Sequence, residues 1–153
     1  MFTMVTDPSD PYDADKAYKD SKLCNILFGR ELSRRLTASG SAITVNAFGP
    51  GLITRSNFFR GQNPLFVTVF DFAVNNVFKV GESVSGGGGC LAFMAVDESV
   101  EGKTQLYYNN DISGPVFSGG HVFKLDEPSV EARDANEAEL LWECSAQLVG
   151  LQA

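Results

Sequence analysis

An apolar stripe repeating every fourth residue runs from Ala17 to about Ser39, and a short strand-like run follows it, ending in Gly49-Pro50-Gly51. Cys24, Phe28, Leu32 and Leu36 make the stripe, and Leu23 and Leu27 widen it, so one long helix with one buried face is expected. Gly40 closes that helix in the usual C-terminal manner. Ala42 to Phe48 then reads as a strand, stopped by the Pro-Gly turn. A helix that feeds a strand is an α/β unit, and open α/β sheets bind ligands at the ends of their strands.

The rest of the chain extends this pattern. Residues 1–16 carry prolines and aspartates without periodicity and read as a polar lead-in loop. Asn57 to Phe78 is the most apolar part, and Pro64 suits the first turn of a helix ending near Phe78. Glu82 to Val96 reads as a further helix, although the glycines Gly86 to Gly89 weaken it by roughly 1 kcal/mol each relative to alanine. Thr104 to Asn109 reads as a second strand and Asn110 to Pro128 as a loop. Ser129 is a candidate N-cap for a last helix through Leu148, with Glu131 and Asp134 in its early turns. The order is α/β in character, but two strands do not make an independent sheet. Residues 17–151 are therefore expected to be one side of a larger doubly wound parallel sheet.

Composition excludes several functions. Hydrophobic residues make up 44% of the chain, enough for a core. A formal charge of −7 and a pI near 4.6 argue against a nucleic-acid partner, which needs a basic footprint. No uncharged stretch is long enough to span a bilayer. Cys24, Cys90 and Cys144 are an odd set without C-x-x-C spacing and read as free, mostly buried thiols. His121 is the only histidine, and no metal site is expected. The first residues do not read as a signal or transit peptide. Either targeting information has been lost or this is an internal piece with an incidental starting Met1.

Tyr18 and Lys22 lie four residues apart at the start of the first helix, which puts a phenol and an ammonium on one face. A phenol is a poor acid or base at neutral pH because its reference pKa is about 10. An ammonium one turn away stabilises the phenolate and suits the phenol to proton transfer. The same ammonium can hold ribose hydroxyls. The spacing alone also fits an ordinary exposed helical pair. Ser21 and Asn25 in phase, the strand, and Pro50-Gly51 followed by Thr54 together favour the catalytic reading.

On these residues the chain resembles the short-chain dehydrogenase/reductase family. Ala17 through Asn25, Phe58-Phe59-Arg60 with Asn63 to Phe66, and Leu141-Trp142-Glu143 through Leu151 are similar to the light-dependent protochlorophyllide-reducing branch of that family. The resemblance covers about Lys16 to Leu151. It implies the C-terminal part of a Rossmann-type domain, with the nucleotide-binding half missing ahead of residue 1. It also implies NADPH as cofactor, a tetrapyrrole as small-molecule substrate and a plastid location. Tyr18 would be the catalytic acid and Lys22 its partner and ribose ligand. Pro50, Gly51, Leu52 and Thr54 would form the nicotinamide-contacting turn, and Phe58, Phe59 and Phe66 a lid over the flat substrate.

Two departures keep alternatives open: Leu52 in the turn, and the absence of the family's first strands, glycine-rich phosphate loop and catalytic hydroxyl residue, which would all precede residue 1. The family's pigment reductases carry a cysteine directly after the Pro-Gly, where this chain has Leu52, which donates no proton. A relative acting on another substrate, or a truncated non-catalytic subunit of a pigment-containing assembly, would also fit. The Gly86-to-Gly89 run is no replacement for the phosphate loop. It lacks the G-x-G-x-x-G order and follows no strand, so tight packing or a poor helical turn explains it. The Phe58-to-Phe78 segment is read first as core or lid. An interface to the missing half or a partner chain stays open. So does peripheral membrane association, although Asp71 and the lack of any lysine before Lys79 count against it.

Overall fold

Asp13, not a residue of the apolar pattern, starts the first helix. In the computed structural model, which describes residues 11–112 and 121–151, its carboxylate accepts from the backbone N–H of Asp15 at 2.9 Å and of Lys16 at 3.1 Å. That N-cap begins α1 (Ala14–Ala38) ahead of the expected Ala17, inside the stretch read as lead-in loop. Gly40, at φ +72°, sits just past its end, as the sequence indicates.

The described chain divides into two compact units, and each is taken by itself. Among the described residues, the first comprises 11–47, 102–105 and 128–151. Here α1 packs on α4 (Ala135–Leu148). Leu27, Ala132 and Ala138 are the fully buried apolar contacts. Phe28 stacks on Trp142 with ring centroids 5.2 Å apart, and the Arg35 guanidinium lies 4.8 Å over the same indole. The buried stripe is rotated from the expected one: Leu27, Glu31 and Ser33 are enclosed, while Phe28 keeps 44% of its surface. Glu31 can be enclosed because Arg34 and Arg35 each hold its Oε1 at 2.6 Å. Ser33 meets the Thr104 hydroxyl at 2.6 Å, and that hydroxyl accepts from the Val45 N–H at 3.0 Å.

Ser129 caps something other than α4. Its hydroxyl accepts from the Ala132 N–H at 3.3 Å and so closes a short 3-10 turn, Glu131–Arg133. Asp134 then caps α4 itself, accepting from Asn136 N–H at 2.8 Å and Glu137 N–H at 3.2 Å. Two consecutive cap signals stand in the sequence, and the second governs the long helix.

The second unit, residues 48–101 and 106–127, carries the sheet. Its strands are β1 (Ala47–Gly49), β2 (Tyr107–Ile112) and β3 (His121–Asp126), in the order β1-β2-β3. β3 runs antiparallel to β2, in register from Tyr107 opposite Asp126 to Ile112 opposite His121. The sheet is therefore mixed, not purely parallel, and β3 lies within the stretch read as a loop. The alternation Val122-Phe123-Lys124-Leu125 was too short to outweigh the Gly, Ser and Pro around it. Part of that stretch, residues 113–120, lies outside the described residues. β1 is shorter than the run Ala42 to Phe48, because only its end pairs with β2.

Phe48, Phe93, Tyr108 and Phe123 form the aromatic core on this sheet, with centroid spacings of 5.3 to 6.1 Å. Phe93 comes from α3 (Val84–Val96), which Ser83 caps by accepting from the Gly86 N–H at 2.8 Å. One glycine of the run has a clear steric role. A Cβ on buried Gly87 would stand 2.3 Å from the Ile53 terminal methyl and 3.7 Å from Pro50, so a side chain is excluded where α3 meets the Pro-Gly turn. α2 (Pro64–Phe72) begins on Pro64 as expected, with Asn63 as its cap, and continues as a π-helical turn, Ala73–Val77. All three cysteines lie in helices, but only Cys90 is buried.

Candidate active site

Tyr18 and Lys22 are one turn apart on α1, and the Lys22 ammonium lies 5.3 Å from the centroid of the Tyr18 ring. The two side chains thus meet, as the spacing predicts, in an arrangement worth roughly 0.5–1 kcal/mol when exposed. Ser21 turns its hydroxyl back onto the Tyr18 carbonyl at 2.7 Å. Tyr18 keeps 43% of its surface accessible.

The Pro50-to-Thr54 turn belongs to the second unit and is held from several directions within it. Gly51 sits at φ +87°, where an L side chain is strained, and a Cβ there would lie 3.2 Å from the Glu82 side chain. Asn110 Nδ2 donates to the Pro50 carbonyl at 3.1 Å and to Glu82 Oε2 at 2.8 Å. The Glu82 N–H donates to the Leu52 carbonyl at 2.8 Å, beside a parallel bridge from Leu52 to Gly81. Burial opposes the Glu82 charge, but hydrogen bonds from Asn110 and Ser83, with His121 nearby, still hold its carboxyl below the usual range. His121 donates from Nε2 to the Gly81 carbonyl at 3.0 Å. Its Nδ1 is buried without a hydrogen-bond partner, 3.8 Å from Glu82 Oε2.

Thr54 closes the turn from inside. It is 3% exposed, donates its hydroxyl proton to Asp71 Oδ1 at 2.5 Å and accepts from Asn75 Nδ2 at 3.0 Å. Arg55 reaches the other Asp71 oxygen at 3.3 Å. Bonds from Thr54 and then Arg55 hold the Asp71 carboxyl below the ordinary carboxylate range. The aromatic residues gather in the same unit. Phe58 meets Phe59 edge-on at 4.9 Å, and Phe59 and Phe66 both converge on Phe70, at 5.5 and 5.7 Å. Phe58 and Phe66 keep more than half of their surface exposed, at 59% and 53%.

Each predicted set is therefore assembled within its own unit: Tyr18 with Lys22 in one, the turn and the aromatics in the other. Sequence reasoning missed Asp71, Asn75, Glu82, Asn110 and His121 as turn-holding residues. Asp71 carried a usable signal, because a lone carboxylate inside an apolar run must find donors if it is enclosed. Asn110 and His121 carried none. Among the described residues, no three His, Cys, Asp or Glu side chains gather as metal ligands, and no helix is long and apolar enough to cross a membrane.

The architecture has a solved counterpart. An uncharacterized protein from Mycobacterium paratuberculosis matches with a TM-score of 0.53 and 27% identity, over 92% of this chain and 41% of its own. Helices with a mixed three-stranded sheet in this arrangement are a partial Rossmann-type α/β fold. No family model matches the chain. Among curated proteins, barley protochlorophyllide reductase A is 35% identical over 147 residues, which is 96% of this chain and 36% of the relative. The pea protochlorophyllide reductase is 35% identical over 140 residues, 92% of this chain and 33% of the relative. The short-chain dehydrogenase TIC 32 B of Brassica napus is 33% identical over 149 residues, 97% of this chain and 41% of the relative. Over nearly its whole length the chain is similar to protochlorophyllide reductases and to a short-chain dehydrogenase. It spans only 33% to 41% of the length of these relatives.

Proposed function

We propose that the chain serves an NADPH-dependent oxidoreductase of the short-chain type, acting on a tetrapyrrole in the manner of protochlorophyllide reductase. Support comes from the contact between Lys22 and Tyr18 on one helical face, in a chain about 35% identical to those reductases over nearly its whole length. Their chloroplastic names give the proposed location, the plastid.

The residues present fit the nicotinamide end of the cofactor. The glycine turn Pro50-Gly51-Leu52 has its peptide carbonyls tied back by Asn110 and Glu82, so its orientation is set before a ligand arrives. In this reading Pro50, Gly51, Leu52 and Thr54 form the nicotinamide-contacting segment, and Lys22 binds ribose hydroxyls. The adenosine end is held by a region these residues do not include: the part of the longer relatives that the chain does not cover, or a partner chain. When bound, NADPH supplies the hydride. Tyr18 holds the proton at its phenol oxygen, with Lys22 as its partner, and delivers it to the reduced double bond. Phe58, Phe59 and Phe66 offer flat apolar faces to cover the substrate.

The test is NADPH-dependent reduction of protochlorophyllide, followed by absorbance after illumination. Tyr18→Phe is expected to lower the rate by about 100-fold or more, the usual size of a general-acid contribution. An unchanged rate in that variant would overturn the role given to Tyr18.

A further inference from the structure

Thr54 stands in the turn assigned to the cofactor, yet its hydroxyl is committed elsewhere. A hydroxyl has one proton to donate, and that proton goes to Asp71 Oδ1. One of its lone pairs receives Asn75 Nδ2, and the residue is 3% exposed. Asn75 lies on the π-helical turn Ala73–Val77, a distortion that recurs at functional sites. Its side-chain amide also reaches the Asp71 carboxylate at 2.8 Å and the Asp71 carbonyl at 3.0 Å. Asp71 is the last charged residue before Lys79 in the apolar segment, and its second oxygen is taken by Arg55, the residue after Thr54. Thr54 of the turn and Arg55 just after it thus hold one carboxylate of the apolar segment, which with Asn75 included takes three charge-assisted contacts.

We propose that Asp71 is a positioning residue: through Thr54 and Asn75 it fastens the apolar segment 64–77 to the Pro50-to-Thr54 turn, so that the two move as one body. This rests on the reading of the turn as the nicotinamide contact and of the apolar segment as the substrate cover. Thr54 then serves the cofactor indirectly. Its hydroxyl offers no proton to a ligand, and the turn presents its backbone instead. The carboxylate sets the distance between the surface that meets the cofactor and the surface that meets the substrate.

Hydrogen–deuterium exchange on the chain tests the fastening without any nucleotide. Thr54→Val keeps the shape and removes the hydroxyl, whereas Thr54→Ser keeps the hydroxyl. Thr54→Val is expected to speed exchange about tenfold both in residues 52–56 and in residues 73–78, the loss of a hydrogen bond to a charged group. Thr54→Ser should leave both segments as in the parent. Asp71→Ala should speed both, and the double variant Thr54→Val/Asp71→Ala should add nothing to either single change. Faster exchange confined to the substituted residue's own segment, or additive effects in the double variant, would overturn the proposal. Protection of residues 50–54 by added NADPH is scored separately in the parent chain. Its absence even when the region holding the adenosine end is supplied would count against the nicotinamide reading and leave the exchange coupling as measured.

Discussion

Glu31 shows how a charged residue can occupy a buried helical face. It continues the line of Leu23 and Leu27 one turn further along α1 and is 1% exposed. Arg34 binds it through both Nε and Nη2, and Arg35 through Nε, so the carboxylate enters the α1/α4 contact already paired. Hydrogen bonding from Arg34 is the largest influence on its carboxyl; burial opposes it, Arg35 adds to it, and the net effect is a lowered pKa. A carboxyl that titrates lower when folded adds stability above its unfolded value and loses it as pH falls through the folded one. Urea denaturation should therefore show Glu31→Gln less stable by about 1–3 kcal/mol at pH 7, with the two proteins converging below the carboxylate range. A constant gap down to the acid limit would contradict the ionic origin. The same lesson applies to Thr54 and Asp71: the residue types were legible, but not the bond between them.

At the scale of elements, caps and punctuation were the best guides, and their errors were local. Pro64 opens α2 and Gly40 follows α1, as their chemistry requires. α1 begins early because the Asp13 N-cap is a stronger start signal than the onset of the apolar pattern after it. Before α4 there are two caps in succession, Ser129 for the 3-10 turn and Asp134 for the helix. Removing the second should matter more: Asp134→Ala is expected to cost about 1 kcal/mol of stability in thermal denaturation, and Ser129→Ala distinctly less. Equal losses would mean that the short turn and the helix form as one capped element. β3 escaped notice because a strand of six residues beside glycines has little periodic signal of its own, and its partner β2 supplies what the segment alone lacks.

For the whole molecule, the net charge of −7 favours solubility, while α2 presents Leu65, Phe66, Val69 and Phe72 with 53% to 73% of their surface open. Val69→Glu should reduce concentration-dependent association in light scattering with the helical circular dichroism unchanged; an unaltered association would remove this face as its cause. Among the described residues, the sequence by itself determined the four α-helices, the strands β1 and β2 to within a few residues and the meeting of Tyr18 with Lys22, and it carries the likeness to protochlorophyllide reductases. These are local matters, set by repeat, capping and turn chemistry over a few residues. Only the tertiary structure decided what holds the Pro-Gly turn. Asn110 reaches Pro50 across 60 residues of chain and His121 reaches Gly81 across 40, and hydrogen bonds between such distant groups leave no periodic trace along a chain.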